Sequence, residues 1–222
     1  MTLNPGFAVA IDGPVGVGKS TVALRLANAL NMTYIDTGAM YRAVALYNMR
    51  LENDPEDEAA ITETLPYIDI QLAPEGIIIL NGEDITGEIR NQALAEYTSA
   101  IAVYAAVREK LSHQQQAIAA SGCVVMDGRD IGSQVLPWAQ VKIYLDADVR
   151  VRAKRRQREL RAKGLPADFT QIYEETLIRD KRDTTRKHSP LVRAKDAIFI
   201  DTSHMSPDEL LAEMIRIVKK AQ

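Results

Sequence analysis

The chain has 222 residues, 46% of them hydrophobic and 26% charged, which suits a globular protein with one main core and one inserted lobe. Its 27 basic and 30 acidic side chains leave a formal charge of −3, so no net basic field points to nucleic acid or an anionic membrane. The single cysteine excludes an internal disulfide framework, the 3 histidines at 113, 188 and 204 are too scattered for a His-based metal site, and no apolar run is long enough to span a membrane.

Residues 1–6 are short, uncharged and proline-containing, unlike a signal peptide, so the cytoplasm is the expected compartment. Phe7 to Asp12 is an apolar run ending at Gly13, the pattern of a buried strand. Val22, Ala23, Leu26, Ala27 and Leu30 recur at helical spacing, predicting a helix over 20–30. A second short strand is predicted at Thr33 to Ile35, then a helix from near Gly38 through Tyr47. Ile68, Ile70 and Leu72 alternate with polar residues. Pro74-Glu75-Gly76 makes a turn, Ile77 to Leu80 a strand, and Asn81-Gly82 a second hairpin signal. Residues 66–90 therefore read as a small antiparallel meander inserted into an α/β chain. Further strands are predicted at Cys123 to Met126, Val141 to Leu145 and Ala197 to Ile200, with a dense basic helix over 150–164. The last helix opens on Ser206-Pro207-Asp208-Glu209, with Ser206 as N-cap and Glu209 closing a capping box. Strands separated by helices imply a parallel sheet with right-handed crossovers.

Gly13-Pro14-Val15-Gly16-Val17-Gly18-Lys19-Ser20-Thr21 fits G-x-x-x-x-G-K-[ST] with a strand before it and a helix after it. Such a loop turns backbone N–H groups toward the phosphates of ATP, and the helix aims its positive end there. Lys19 is expected on the β- and γ-phosphates and Ser20 on Mg²⁺. Asp36-Thr37-Gly38-Ala39-Met40-Tyr41-Arg42 lies just past a strand, where α/β sheets bind ligands. Thr37 and Arg42 there could share one phosphate, although Asp36 or Thr37 capping a plain helix fits equally well. Asp127-Gly128-Arg129-Asp130 follows a strand beside the loop, the usual place for an acid that orients Mg²⁺. A salt-bridged turn is the alternative. Two arginine-rich segments follow, one carrying Arg152, Arg155, Arg156, Arg158 and Arg161 and one running from Arg179 to Arg186. Phosphoryl transfer needs such cations. Taken alone, the first segment reads better as a solvated helix face, whereas the second alternates acids with bases, which a simple anion patch would not need.

Five motifs in this order resemble the bacterial cytidylate kinases, within the nucleoside monophosphate kinases, across nearly the whole chain. They are Ile11-Asp12-Gly13-Pro14 running into the loop, Asp36 to Arg42, Gly82-Glu83-Asp84-Ile85-Thr86 with Val107-Arg108-Glu109, Asp127 to Asp130, and Arg179-Asp180 with Asp183, Arg186 and Pro190-Leu191. The resemblance implies transfer of the γ-phosphoryl group of Mg-ATP to CMP and dCMP, in pyrimidine metabolism, by a monomer with a P-loop core. It implies Thr37, Arg42 and Arg129 on the acceptor phosphate, and Ser99, Arg108 and Asp130 on the cytosine. Arg179 and Asp183 would lie near the acceptor sugar, Arg186 on the phosphate side, and Asp127 with Ser20 at the metal. Lys19, Arg129 and Arg186 would be catalytic. The core is expected over 1–65, 91–149 and 171–222, the inserted lobe over 66–90 within an acceptor-binding region of about 38–105, and the lid over 150–170. Val15 and Val17 stand where this family often has smaller residues. Rival readings are a kinase of this fold for another monophosphate or a small hydroxyl compound, a GTP-dependent switch, and a non-catalytic nucleotide-binding module. The switch would need an N-K-x-D segment, and Arg193-Ala194-Lys195-Asp196 lacks the asparagine.

Overall fold

The computed structural model describes residues 6–73 and 76–221, so the predicted features at residues 1–5 and the Pro74-Glu75 half of the first turn lie outside the described residues. Backbone contacts divide the chain into two compact units: residues 1–34 with 121–222, and residues 35–120. The stretches 35–65 and 91–120, expected within the core, thus group with the meander.

The first unit carries strands β1 (Ala8–Asp12), β6 (Val124–Gly128), β7 (Val141–Asp146) and β8 (Ile198–Asp201) and the start of β2 (Thr33–Asp36), within which the boundary falls; the strand order is β2-β6-β1-β7-β8. β1 runs parallel to both β6 and β7, and β7 parallel to β8. Every residue of β1 and β6 is buried, as expected for strands covered on both faces. Val9 and Ile11 pack with Val125, Ile143 and Leu145 beneath helices α1 (Lys19–Leu30) and α8 (Pro207–Lys220). By pleat alternation Ala8, Ala10 and Asp12 face the other side. There Asp12 meets a single π-helical turn, Ile131–Val135. The α8 capping box forms as predicted: Glu209 N donates to Ser206 Oγ at 3.2 Å, and Ser206 N donates to Glu209 Oε2 at 2.8 Å. Helices α6 (Val149–Ala162) and α7 (Phe169–Thr185) pack on each other around Ala153, Leu160 and Ile172.

In the second unit, α2 (Thr37–Arg50) packs against α4 (Gln92–Ile101), α5 (Ala105–Ala120) and strand β4 (Ile77–Leu80). The short helix α3 (Glu58–Thr64) sits by Asn48, which is fully buried. Asn48 donates to Val44 O at 3.0 Å and accepts from Asn53 and Thr64 at 2.9 and 3.1 Å. The predicted meander is the antiparallel sheet β3 (Ile70–Ala73), β4 and β5 (Glu83–Asp84), in that order. Asn81 and Gly82 carry φ of 50° and 87°, the paired left-handed conformations of a tight hairpin turn.

Candidate active site

At the carboxyl end of β1 the chain enters the phosphate-loop motif. Gly13 has φ of 148°, and a Cβ there would stand 2.1 Å from the Leu145 carbonyl oxygen, so β7 passes too close for any side chain. Gly18, in the left-handed region at φ 95°, is the N-cap of α1 and brings no capping side chain. The first amides of α1 are thereby left for an anion. Four carbonyls of the loop are braced by side-chain donors. Lys19 Nζ donates to Gly13 O and Pro14 O at 2.7 and 2.6 Å, Arg152 to Val15 O at 3.1 Å, and Thr202 Oγ1 to Val17 O at 3.2 Å. Val17 points into the hydrophobic core, and Val15 is half-buried. Ser20 and Thr21 are exposed.

Lys19 is buried, and that burial, helped by Arg129, holds its ammonium well below the usual lysine range against the pull of Asp127, Asp183 and Asp12. Asp127, on β6, accepts from Ser20 Oγ at 2.9 Å through one oxygen and from Tyr34 Oη at 2.7 Å through the other. A hydroxyl that donates its proton keeps oxygen lone pairs for a cation. Mg²⁺ commonly takes one or two protein ligands and completes its shell with phosphates and water, so the Ser20–Asp127 pair fits such an ion.

Two residues on, a buried ionic cluster begins. Arg129 Nε donates to Asp183 Oδ2 at 2.8 Å. Arg186 lies 3.5 Å from Asp130 and 3.6 Å from the other oxygen of Asp183, and donates to Ser189 O at 2.7 Å. Burial opposes ionisation of Asp183, but Arg129, Arg179 and Arg186 outweigh it and hold the carboxyl below its usual value. Burial likewise opposes charge on Arg129, and Asp183 reverses the balance upward. The alternation of signs from Arg179 to Arg186 is thus an ion network on one face of α7 and just beyond it. Arg129, Asp130, Asp183 and Arg186 all join it.

Near the loop, Asp12 and Tyr34 carry no predicted role, and Arg152 only a place in the basic lid segment. Asp12, 4% exposed, accepts from the backbone N–H groups of Ile131 and Gly132, both at 2.7 Å. It ties the turn after Asp130 to the end of β1. Burial is the main force that pushes its carboxyl up to about 6, with Asp130 adding to it. Tyr34 holds Asp127. Arg152 belongs to the segment that reads better as a solvated face. That reading fits Arg158 and Arg161, which are exposed, but not Arg152. Arg152 is buried and forms a two-bond pair with Asp180 at 2.6 and 3.1 Å. A Cβ on Gly16 would stand 3.1 Å from that of Arg152, so α6 packs directly on the loop.

In the second unit, Asp36 caps α2, its side chain accepting from Ala39 N at 2.9 Å, which leaves Thr37 as the first helical residue, buried. A Cβ on Gly38 would lie 3.7 Å from the Arg42 guanidinium, so Arg42 folds back over the first turn of α2. A helix start and an arginine in one place favour an anion. Arg108, on α5, is buried with its guanidinium 5.5 Å from the Tyr41 ring centre, and it donates to Ala102 O at 3.0 Å. Ser99 is half-buried on α4.

Fold and loop together define a P-loop nucleotide-binding protein. A solved structure from Thermus thermophilus, TT1252, superposes at a TM-score of 0.52 with 17% identity over 98% of both chains, a likeness of fold alone. The chain belongs to the cytidylate kinase family, whose sequence profile, described as "Cytidylate kinase", matches residues 9–220. It is similar to a cytidylate kinase of Limosilactobacillus reuteri, at 45% identity over 221 residues covering 98% of this chain and 97% of that one. A cytidylate kinase of Bacillus velezensis is 46% identical over 221 residues, covering 98% and 99%. The protein is therefore an ATP-dependent nucleoside monophosphate kinase, which works on nucleotide substrates with a divalent metal. No helix among the described residues is long and apolar enough to cross a membrane.

Proposed function

We propose that this chain transfers the γ-phosphoryl group of ATP to CMP, and also to dCMP, with Mg²⁺ as the metal, yielding ADP and CDP or dCDP. The observation that carries this reading is the braced loop Gly13–Thr21 adjoining a buried network in which Arg129, Asp130, Asp183 and Arg186 already offset one another. An acceptor phosphate oxygen is ionised at neutral pH and attacks the γ-phosphorus in line with the departing ADP oxygen. No general base is needed, and the work left to the protein is positioning and charge stabilisation. When bound, Mg²⁺ neutralises charge on the β- and γ-phosphates.

Loop amides and Lys19 hold the donor phosphates, and Ser20 with Asp127 holds the metal. Arg129, with Thr37 and Arg42, receives the acceptor phosphate, and Arg186 offsets charge that builds during transfer. Ser99, Arg108 and Asp130 read the cytosine, and Arg179 and Asp183 the sugar. The lobe 66–90 belongs to acceptor binding, and the segment 150–170 is the lid that excludes water. A monomer in the cytoplasm is the form we expect to act. A coupled ADP-release assay with CMP, dCMP, UMP, AMP and GMP tests the assignment. CMP should give the highest kcat/KM, and faster turnover of AMP or GMP would overturn it.

A further inference from the structure

Tyr34 lies on β2, one strand from Asp127, with its ring packed against the hydrophobic core and its hydroxyl turned to the carboxylate. Asp127 is 4% exposed and has both oxygens engaged, one by Tyr34 at 2.7 Å and one by Ser20 at 2.9 Å. An ionised carboxylate only accepts hydrogen bonds. Held from two sides, it cannot rotate about its Cβ–Cγ bond without losing one of them. The oxygen facing Ser20 therefore stays where it takes the serine proton, and the serine lone pairs stay turned outward. We propose that Tyr34 is a positioning residue for the divalent metal, acting through Asp127 and Ser20 without touching the ion. This rests on Ser20 and Asp127 as the metal-holding pair. A purely structural alternative is that Tyr34 only satisfies a buried carboxylate, in which case its loss would lower stability and leave the metal alone.

Tyr34→Phe keeps the ring and removes only the donor. The probe is Mn²⁺, titrated by electron paramagnetic resonance into the enzyme loaded with a non-hydrolysable ATP analogue. Affinity for the analogue in EDTA and the melting temperature are measured alongside. Loss of an outer partner of a ligand typically weakens metal binding about 10-fold or more. Tyr34→Phe should weaken Mn²⁺ binding by about that factor and leave analogue affinity in EDTA unchanged. Asp127→Asn separates the two layers of the argument. If it weakens Mn²⁺ binding and Tyr34→Phe does not, Tyr34 has only a structural role and the inference falls. If neither variant changes Mn²⁺ binding, the assignment of Asp127 to the metal falls with it.

Discussion

Asp12 gives a sharp test of how burial sets charge in this protein. Its carboxyl is buried against the turn after Asp130, and it titrates near 6 in place of 3.8. Replacing it by asparagine keeps size and one acceptor oxygen but removes the ionisation. A carboxyl whose folded value lies above its unfolded value contributes stability that is fully present below about pH 4 and is lost as pH rises through about 6. The rise from 3.8 to about 6 amounts to about 3 kcal/mol at 1.36 kcal/mol per unit. Roughly 2 kcal/mol of it falls between pH 4.5 and 7. The assay is urea unfolding of both proteins at steps across that range. Subtracting the variant cancels the other titrating groups to first order. The stability of wild type relative to Asp12→Asn should fall by roughly that amount as pH rises. A difference that stays flat, or that grows with pH, would refute the reasoning: the two N–H donors from Ile131 and Gly132 would then outweigh the cost of burying the charge.

Four further outcomes are expected. Lys19→Ala should lower kcat at saturating ATP by about 10²–10³-fold, because its contact strengthens as charge develops on the phosphates; near-normal turnover would remove the loop from the mechanism. Arg152→Ala should cost about 3 kcal/mol in unfolding free energy by stranding Asp180, and the double variant with Asp180→Ala should recover part of that loss in a mutant cycle. Asp130→Asn offers a donor to uracil O4, so the ratio of kcat/KM for CMP over UMP should narrow, and an unchanged ratio would mean that Asp130 does not read the base. Amide exchange over residues 150–170 should slow when a bisubstrate analogue binds, with the larger change in 163–168 beyond the Arg152 anchor; identical exchange with and without the analogue would rule out a lid there.

Much of the fold was legible because its signals are local. The strand-loop-helix frame of Gly13–Thr21, the Asn81-Gly82 turn and the Ser206–Glu209 capping box each rest on a few adjacent residues whose backbone chemistry has one good solution. Helices α4 and α5 are not among the predicted elements. On α5 the buried face carries Arg108 and Gln115 among Val107, Leu111 and Ala119, and two polar groups break the apolar stripe that would mark a helix. The site residues that escaped notice share a different cause. Asp12 closes an apolar run and Tyr34 stands inside a four-residue strand, so each reads as part of its strand, and their partners lie about a hundred residues away. Arg152 left no local signal: on a helix of about 3.6 residues per turn Arg156 falls nearer than Arg152 to the inner face marked by Ala153 and Leu160, yet Arg156 meets Glu159 at the surface while Arg152 reaches Asp180 on α7.

The braced carbonyls of the loop have a consequence for how tightly and how fast a nucleotide is held. In a trans peptide the N–H points opposite to the C=O of the same unit, and no cis bond occurs among the described residues. With the carbonyls of Pro14, Val15 and Val17 fixed by Lys19, Arg152 and Thr202, the amides of Val15, Gly16 and Gly18 have their directions set in advance. Ordering one residue from a free chain costs about 1–2 kcal/mol, and here folding has already met that cost. Nucleotide capture should therefore leave the loop almost unchanged, with little ordering penalty charged against affinity. Mutations in α6 that release Val15 O would be felt as weaker ATP binding, although α6 itself need never touch the nucleotide.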